Sequence, residues 1–412
     1  MKIGISALGR LSEDTGGRTY IVHFLRELAS SHGQHTFVLF VSEVEAALLG
    51  IASNEWLRVI TIPNSRRTSF HKVFAEQFLL PKYIVKEKID VMYYPGNFIS
   101  LYSSVPSVVN IRSVAHYYGT EYGIRGSRRI IRSLIMPASA RRASAIITPS
   151  EDIKRDVVRF AGADMAKITV IPHGVDLTLF DGDANRKSNE GCAILKKYNL
   201  TSGNYLLYVS ALWRYKRQDQ LIRAHARLVK GYPRVVGGDP AAQIGATVGT
   251  NHANPLKLVI AGMGTGTEKK YIDELHSLPK ELGTDGLIVF TGGLPQSELR
   301  YLYAHASAFV FPSSYESFGN PIFEAWASGI PVAVANVHSF PEIVGDAALI
   351  FDPMNVREIS DTIWLLLSEP ELASDLVRRG AERVKEFTWS RAVASTLSIL
   401  TAENHVPGKR QQ

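Results

Sequence analysis

The chain has 412 residues, with 46 Lys plus Arg against 39 Asp plus Glu and a net charge of +7. At roughly 150 residues per domain this length suggests two to three domains, and 45 % apolar with 21 % charged residues is ordinary for a globular protein. The mild basicity suits an anionic small molecule or an anionic membrane surface and makes no demand for nucleic acid. The lone Cys192 rules out an intramolecular disulfide and fits a reducing, cytoplasmic compartment. The opening MKIGISAL reads as a strand and not as a signal peptide. No apolar stretch approaches the ~18–20 residues of a membrane span, so any membrane contact is expected to be peripheral.

In the first half, short apolar runs predict strands at 2–8, 36–42, 57–63, 90–96, 106–112, 144–150 and 168–174. Several are β-branched on both faces, as strands buried between helix layers are. Between the first two runs, Arg18–Ser31 places Ile21, Phe24, Leu25 and Leu28 on one helical face. Gly16 and Gly17 are expected in the loop between the first strand and that helix, where two glycines allow close backbone approach to an anion. After the fifth strand the sequence reads NIRSVAHYYG. Arg112 and His116 are both candidates to face a substrate there, and residue type alone leaves open which one does. Residues 125–142 hold six Arg and no acid, interleaved with Ile130, Ile131, Leu134 and Ile135. That composition fits an anionic bilayer surface, and equally a helix with a solvated basic face.

A polar, turn-rich stretch near 175–200 reads as the join between two domains. Strands are predicted again at 205–212, 256–262, 286–292, 308–314, 330–336 and 348–353. Residues 231–255, rich in Gly, Ala, Thr and Pro, read as an inserted loop, and the tail beyond Asn404 as disordered. The β-α alternation predicts an α/β fold of two doubly wound, Rossmann-like parallel sheets facing across a cleft: residues 1–180 and 200–387, with a C-terminal helix near 388–402 returning to the first domain.

The chemistry concentrates just after strands. Glu316–Ala335 reads ESFGNPIFEAWASGIPVAVA. Asn320 is expected to cap a helix, Pro321 to open it and Gly329 to end it. Its free amides and dipole suit a diphosphate, and Glu316 and Glu324 can reach different parts of one ligand. Without a ligand they would be ordinary surface charges flanking a helix. Lys216, with Arg214 nearby, lies at another strand-to-helix junction, where positive charge suits a phosphate leaving group. The alternative is a solvated basic turn. No D-x-D motif and no His/Cys ligand spacing points to a metal. No G-x-G-x-x-G follows the first strand, and AGMGTG at 261–266 is followed by Glu268, Lys269 and Lys270, so a dinucleotide-dependent oxidoreductase or epimerase fits poorly.

From Gly16 to the FTW at 387–389 the chain resembles the retaining GT-B glycosyltransferases of the large family four. The Glu316-x7-Glu324 spacing and the run LRYLYAHASAFVFPSSYESFGNPIFEAWASGIPVAVA carry most of the likeness. The resemblance implies that Glu324 binds the donor ribose and Glu316 the donor sugar. It also implies that backbone amides from Phe318 through Gly319, Asn320 and Pro321 to Ile322 hold sugar and phosphates, and that Lys216 neutralises the diphosphate. Family members often carry an Arg just before the Lys; Tyr215 occupies that place, and Arg214 stands one residue off. Gly16 and Gly17 match the family's first glycine-rich loop. IPHGVD at 171–176 matches the end of its first domain, with His173 where Asn is commoner and read as structural. Arg112 and Ser113 replace the His-Asp pair of many relatives. The implied activity is metal-independent hexose transfer, with retention, from a UDP- or GDP-sugar to a saccharide or lipid-linked glycan in bacterial polysaccharide assembly. No cofactor is expected. A non-catalytic sugar-nucleotide sensor on the same fold is the alternative.

Overall fold

The computed structural model describes residues 1–8, 16–63, 69–119, 122, 126–231, 255–264 and 266–402. The chain forms two compact units. One is Met1–Gly174 together with the stretch from Phe387 onward; the other is Val175–Glu386. Nearly all of the inserted loop expected at 231–255, and the tail beyond Asn404, lie outside the described residues.

The first unit is built on strands β1 (Lys2–Ser6), β2 (Thr36–Val41), β3 (Leu57–Thr61), β4 (Val91–Tyr94), β5 (Ser107–Asn110), β6 (Ala145–Thr148) and β7 (Ile168–Val170). They pair in the order β3-β2-β1-β4-β5-β6-β7, every pair parallel. The second unit contains β8 (Tyr205–Val209), β9 (Lys257–Ala261), β10 (Ile288–Gly292), β11 (Ala308–Phe311), β12 (Val332–Ala335) and β13 (Leu349–Phe351). Their order is β10-β9-β8-β11-β12-β13, again all parallel. All thirteen strands read from the sequence are present. Most end a few residues earlier than the apolar runs suggest, because the chain turns into the loops that carry the polar groups.

The inner strands of both sheets are buried on both sides, while edge strands such as β3 and β10 are partly exposed. Val38, Leu39 and Phe40 have no exposed surface, nor do Phe309, Val310 and Phe311. In the first unit, helix Gly16–Ser31 lays Ile21, Phe24, Leu25 and Leu28 on the sheet. Helix Trp389–Leu400 joins the same core through Trp389, Ala392, Val393 and Leu400. Its start is held by the Thr388 side chain, which accepts from the Arg391 amide at 3.3 Å. Gly174 is required beneath it: a Cβ there would lie 2.2 Å from the Trp389 nitrogen. In the second unit, the polar stretch expected to be a join folds as helices Gly182–Arg186 and Asn189–Lys197. Arg186 anchors it by donating to the Ala304 and Ser328 carbonyls at 3.0 and 3.2 Å. Charge and turn residues concealed short capped helices there: Asp181 and Ser188 each accept from a first-turn amide.

Gly16 and Gly17 are the first two residues of their helix and not part of a loop before it. A first turn has unpaired amides in any case, so glycine is tolerated there. Among the described residues no helix is long and apolar enough to cross a membrane.

Candidate active site

In the second unit, two turns at the carboxyl ends of adjacent strands are stitched together. After β8, Arg214–Lys216 forms a single 3-10 turn, and Arg217 adopts a left-handed φ of 55° before helix Gln218–Val229 begins. The Arg217 Nε donates to Ser314 Oγ at 2.6 Å, and the Ser314 amide donates to the Tyr215 carbonyl at 2.7 Å. Gln218, fully buried, donates to the Ala211 carbonyl and the Tyr208 hydroxyl at 2.9 Å each, and accepts from Tyr271 at 3.0 Å. Sequence reasoning missed Arg217 and Gln218. Their roles depend on β8 and β11 being neighbours, and nothing in local spacing announces that.

The stitching brings Lys216 against Glu316. The Lys216 Nζ donates to Glu316 Oε1, with the two side chains 8 % and 15 % exposed. Burial disfavours the Lys216 charge, but Glu316 and the Tyr215 phenol outweigh it and hold the ammonium above its usual pKa. Lys216 is therefore a preformed, desolvated cation, partnered by the carboxylate expected to contact the sugar. The Glu316 carbonyl is fixed in turn by Ser339 Oγ at 3.0 Å.

Two residues on, Phe318 is buried and stacks on Phe323 at 4.6 Å, which anchors the turn. Gly319 has φ 80°, and a Cβ there would lie 2.7 Å from Phe340 Cε1. Helix Asn320–Ala327 starts here. Asn320 was expected to cap it, but the cap position is Gly319 and no side chain caps the helix. Asn320 and Pro321 are its first two residues; Ser328 is the C-cap, and Gly329, with φ 67°, ends the helix as expected, its amide donating to the Trp326 carbonyl at 3.0 Å. The expected row of amides narrows accordingly: Pro321 has no N–H, and the Ile322 amide donates to the Gly319 carbonyl at 2.9 Å. The Gly319 and Asn320 amides remain for an anion, and the helix dipole favours one. One turn in, burial raises the Glu324 pKa to about 7, against the opposing effect of Tyr303 and Gln296 beside it.

Arg214 is half-exposed. Its guanidinium pairs with Glu274 at 2.5 Å and lies 4.7 Å from the Tyr271 ring centre. It is thus committed to helix Lys269–Glu281, whereas Lys216, Glu316 and the helix start are drawn together.

In the first unit, Arg112 and His116 separate clearly. Arg112 stays partly exposed just past β5, its amide donating to Asn97 Oδ1 at 2.6 Å. Its guanidinium lies 5.2 Å from the Tyr20 ring, whose hydroxyl is 2.6 Å from that of Tyr93. His116 is 1 % exposed, and its Nε2 has no hydrogen-bond partner among the described residues. Burial, with Arg132 and Arg129 nearby, lowers its pKa to about 4, so the ring is neutral near pH 7. His173 packs edge-on to Tyr20 at 5.0 Å.

The profile for "Glycosyl transferases group 1" matches residues 193–383, and that for "Glycosyltransferase Family 4" matches residues 15–179. The chain belongs to these glycosyltransferases. Among curated relatives, the O-antigen chain mannosyltransferase B of Escherichia coli is 26 % identical over 97 % of this chain and 96 % of its own. The D-inositol 3-phosphate glycosyltransferase of Acidothermus cellulolyticus is 27 % identical over 66 % of this chain, which spans about half (55 %) of that protein. Among solved structures, Anabaena HepE in complex with UDP and glucose superposes with a TM-score of 0.71 at 18 % identity, covering 97 % of this chain and 100 % of its own. Sucrose-phosphate synthase from Thermosynechococcus elongatus gives 0.73 at 18 %, covering 97 % and 98 %. The fold of this glycosyltransferase is GT-B, with two α/β domains.

Proposed function

We propose that this glycosyltransferase moves a hexose, with retention and without a metal, from a UDP- or GDP-sugar to a saccharide or lipid-linked glycan during bacterial polysaccharide assembly. The observation that carries the reading is the buried Lys216–Glu316 pair beside the uncapped start of helix Asn320–Ala327. An incoming diphosphate finds a desolvated ammonium and two amides and releases Glu316 for sugar hydroxyls, while Glu324 takes the ribose. As the C1–oxygen bond to the diphosphate breaks, Lys216 and the amides stabilise the charge that builds on the leaving oxygens. The acceptor oxygen bonds C1 on the face being vacated, which preserves configuration, and its proton passes to the departing phosphate. In the first unit, the partly exposed Arg112 is the cation assigned to substrate, and the enclosed His116 is assigned a structural role. The mannosyltransferase relative supports a hexose as the transferred sugar, and the UDP-bound neighbour supports UDP-sugars as the donors to try first, with GDP-sugars as the alternative.

A cytoplasmic enzyme working on lipid-linked acceptors would meet the membrane surface. Helix Ser127–Arg142 offers a face for this: Ile130 and Leu134 are 63 % and 70 % exposed, and Arg141 and Arg142 lie at its exposed end. Arg129 and Arg132 are instead engaged by the His116 carbonyl and the Phe98 ring.

The test is thermal stabilisation by UDP, GDP, ADP, CMP and NAD, followed by donor turnover with and without EDTA. One diphosphate at 100 times its Kd should stabilise by about 2.7 kcal/mol, and Glu324→Ala and Lys216→Ala should lose the shift. Binding without donor cleavage would mark a sensor; stabilisation by NAD alone would overturn the reading; loss of turnover in EDTA would overturn metal independence.

A further inference from the structure

The helical run from Ser69 to Lys86 is interrupted at Ala75–Leu79 by a turn of π-helix. Such turns are uncommon and cluster at functional sites, because the extra residue redirects side chains. Here it redirects two. Gln77 turns inward, donating to the Ile99 carbonyl at 2.9 Å and accepting from the Leu101 amide at 2.8 Å, which pins the loop after β4. Glu76 is brought to the carboxyl end of β1, where Ser6, the last residue of that strand, donates its hydroxyl to Oε1 at 3.3 Å.

Glu76 has no Lys or Arg partner among the described residues, and its side chain remains partly exposed. Burial, reinforced by the charge of Glu45 and opposed by Ser6, raises its pKa to about 7. An unpaired carboxyl in such a place works against stability, and an apolar residue would pack there at lower cost. One oxygen is engaged by Ser6, and the other has no hydrogen-bond partner among the described residues. In open parallel sheets ligands bind beyond the carboxyl ends of the strands, and this is such an end.

We infer that Glu76 and Ser6 form a hydroxyl-binding subsite for the acceptor saccharide on the first unit. The inference rests on the glycosyl-transfer reading. A carboxyl group oriented by a neighbouring hydroxyl accepts a hydrogen bond from a sugar O–H, and a site built to do so discriminates strongly against a sugar lacking that group.

The experiment uses the full chain, with saturating UDP- or GDP-hexose as donor. The acceptor probes are the methyl glycosides of mannose, glucose, galactose and N-acetylglucosamine, and the deoxy forms of whichever is used. Glu76→Gln keeps the volume and still accepts from Ser6, so folding and the nucleotide-induced thermal shift should stay. The acceptor KM should rise tenfold or more, and discrimination against one deoxy glycoside should vanish. Ser6→Ala should give a smaller change in the same direction. Wild-type acceptor kcat/KM should change through about pH 7, where Glu76 titrates facing Ser6, Glu45 and Tyr94, and Glu76→Gln should flatten that change. Unchanged acceptor KM and discrimination in Glu76→Gln would overturn the inference. So would a wild type that cleaves donor but is stimulated by none of the glycosides. If the wild type neither binds nor cleaves a nucleotide-sugar, the glycosyl-transfer reading itself has failed.

Discussion

Lys216 has two roles that mutation separates. It neutralises Glu316 in the resting protein, and on the proposed reading it neutralises the diphosphate during transfer. Lys216→Ala leaves a half-enclosed carboxylate without its partner, which should cost about 3 kcal/mol, the lower end for a broken buried pair. It should also lower kcat/KM by about 10²–10³-fold, as for removal of one electrostatic stabiliser of the transition state. In Lys216→Met/Glu316→Gln the unpaired charge is gone, so chemical denaturation should show stability recovered while turnover stays low. Glu324 makes a second residue-scale case. Its folded pKa, about 7, is above its ordinary value of 4.5. Between those limits the folded protein holds a proton that the unfolded chain has released. The stabilisation linked to it is complete below pH 4.5 and lost as pH rises through 7. Glu324→Gln should therefore flatten part of the fall in stability between pH 5 and 8, read from denaturation midpoints, with Glu76 supplying another part. Ribose hydroxyls donate best to the ionised carboxylate, so nucleotide affinity should rise through pH 7 in the wild type and not in Glu324→Gln. His116 has the opposite sign. Its pKa of about 4 makes it neutral across this range, so it should add nothing to the rate profile from pH 6 to 8.

At the scale of the element, the start of helix Asn320–Ala327 depends on one backbone conformation. Gly319→Ala meets both a positive φ and the Phe340 ring. The left-handed conformation alone costs roughly 1–2 kcal/mol for a residue with a Cβ. The expected outcome is a lowered Tm together with loss of nucleotide stabilisation, because the two free amides shift with the turn. This element shows how far local sequence reaches. The strand, the Gly, the Pro and the carboxylate spacing were legible in ESFGNP. The capping residue was not: Asn320 satisfies every local preference for a cap, yet packing of Phe318 on Phe323 and Gly319 against Phe340 sets where the helix begins. Arg214 and Lys216 are likewise equivalent as neighbouring cations in the sequence. Glu274 claims one and Glu316 the other, and only the sheet order decides which acid each cation meets.

At the scale of the whole molecule, the first unit is completed by residues that follow the second in sequence. A chain ending at Glu386 would lack helix Trp389–Leu400 and expose the core formed by Tyr20, Ile21 and Phe24. Calorimetry of that truncation should show the transition of the first unit lowered or lost, while the second unit unfolds near its original temperature. Composition and strand periodicity by themselves determined that there are two parallel sheets, because strands buried on both faces must be apolar throughout and cannot be confused with amphipathic ones. The motif spacing determined where the turn proposed to bind phosphate lies, because an anion needs amides, a glycine and a cation in short order along the chain. The tertiary structure alone decided which charged groups pair and which of Arg112 and His116 is enclosed. It also placed Glu76 at the end of β1 through a π turn with no local signature. These outcomes depend on burial and on neighbours far away in sequence, and desolvation, which fixes the charge state of each group, exists only once the chain has folded.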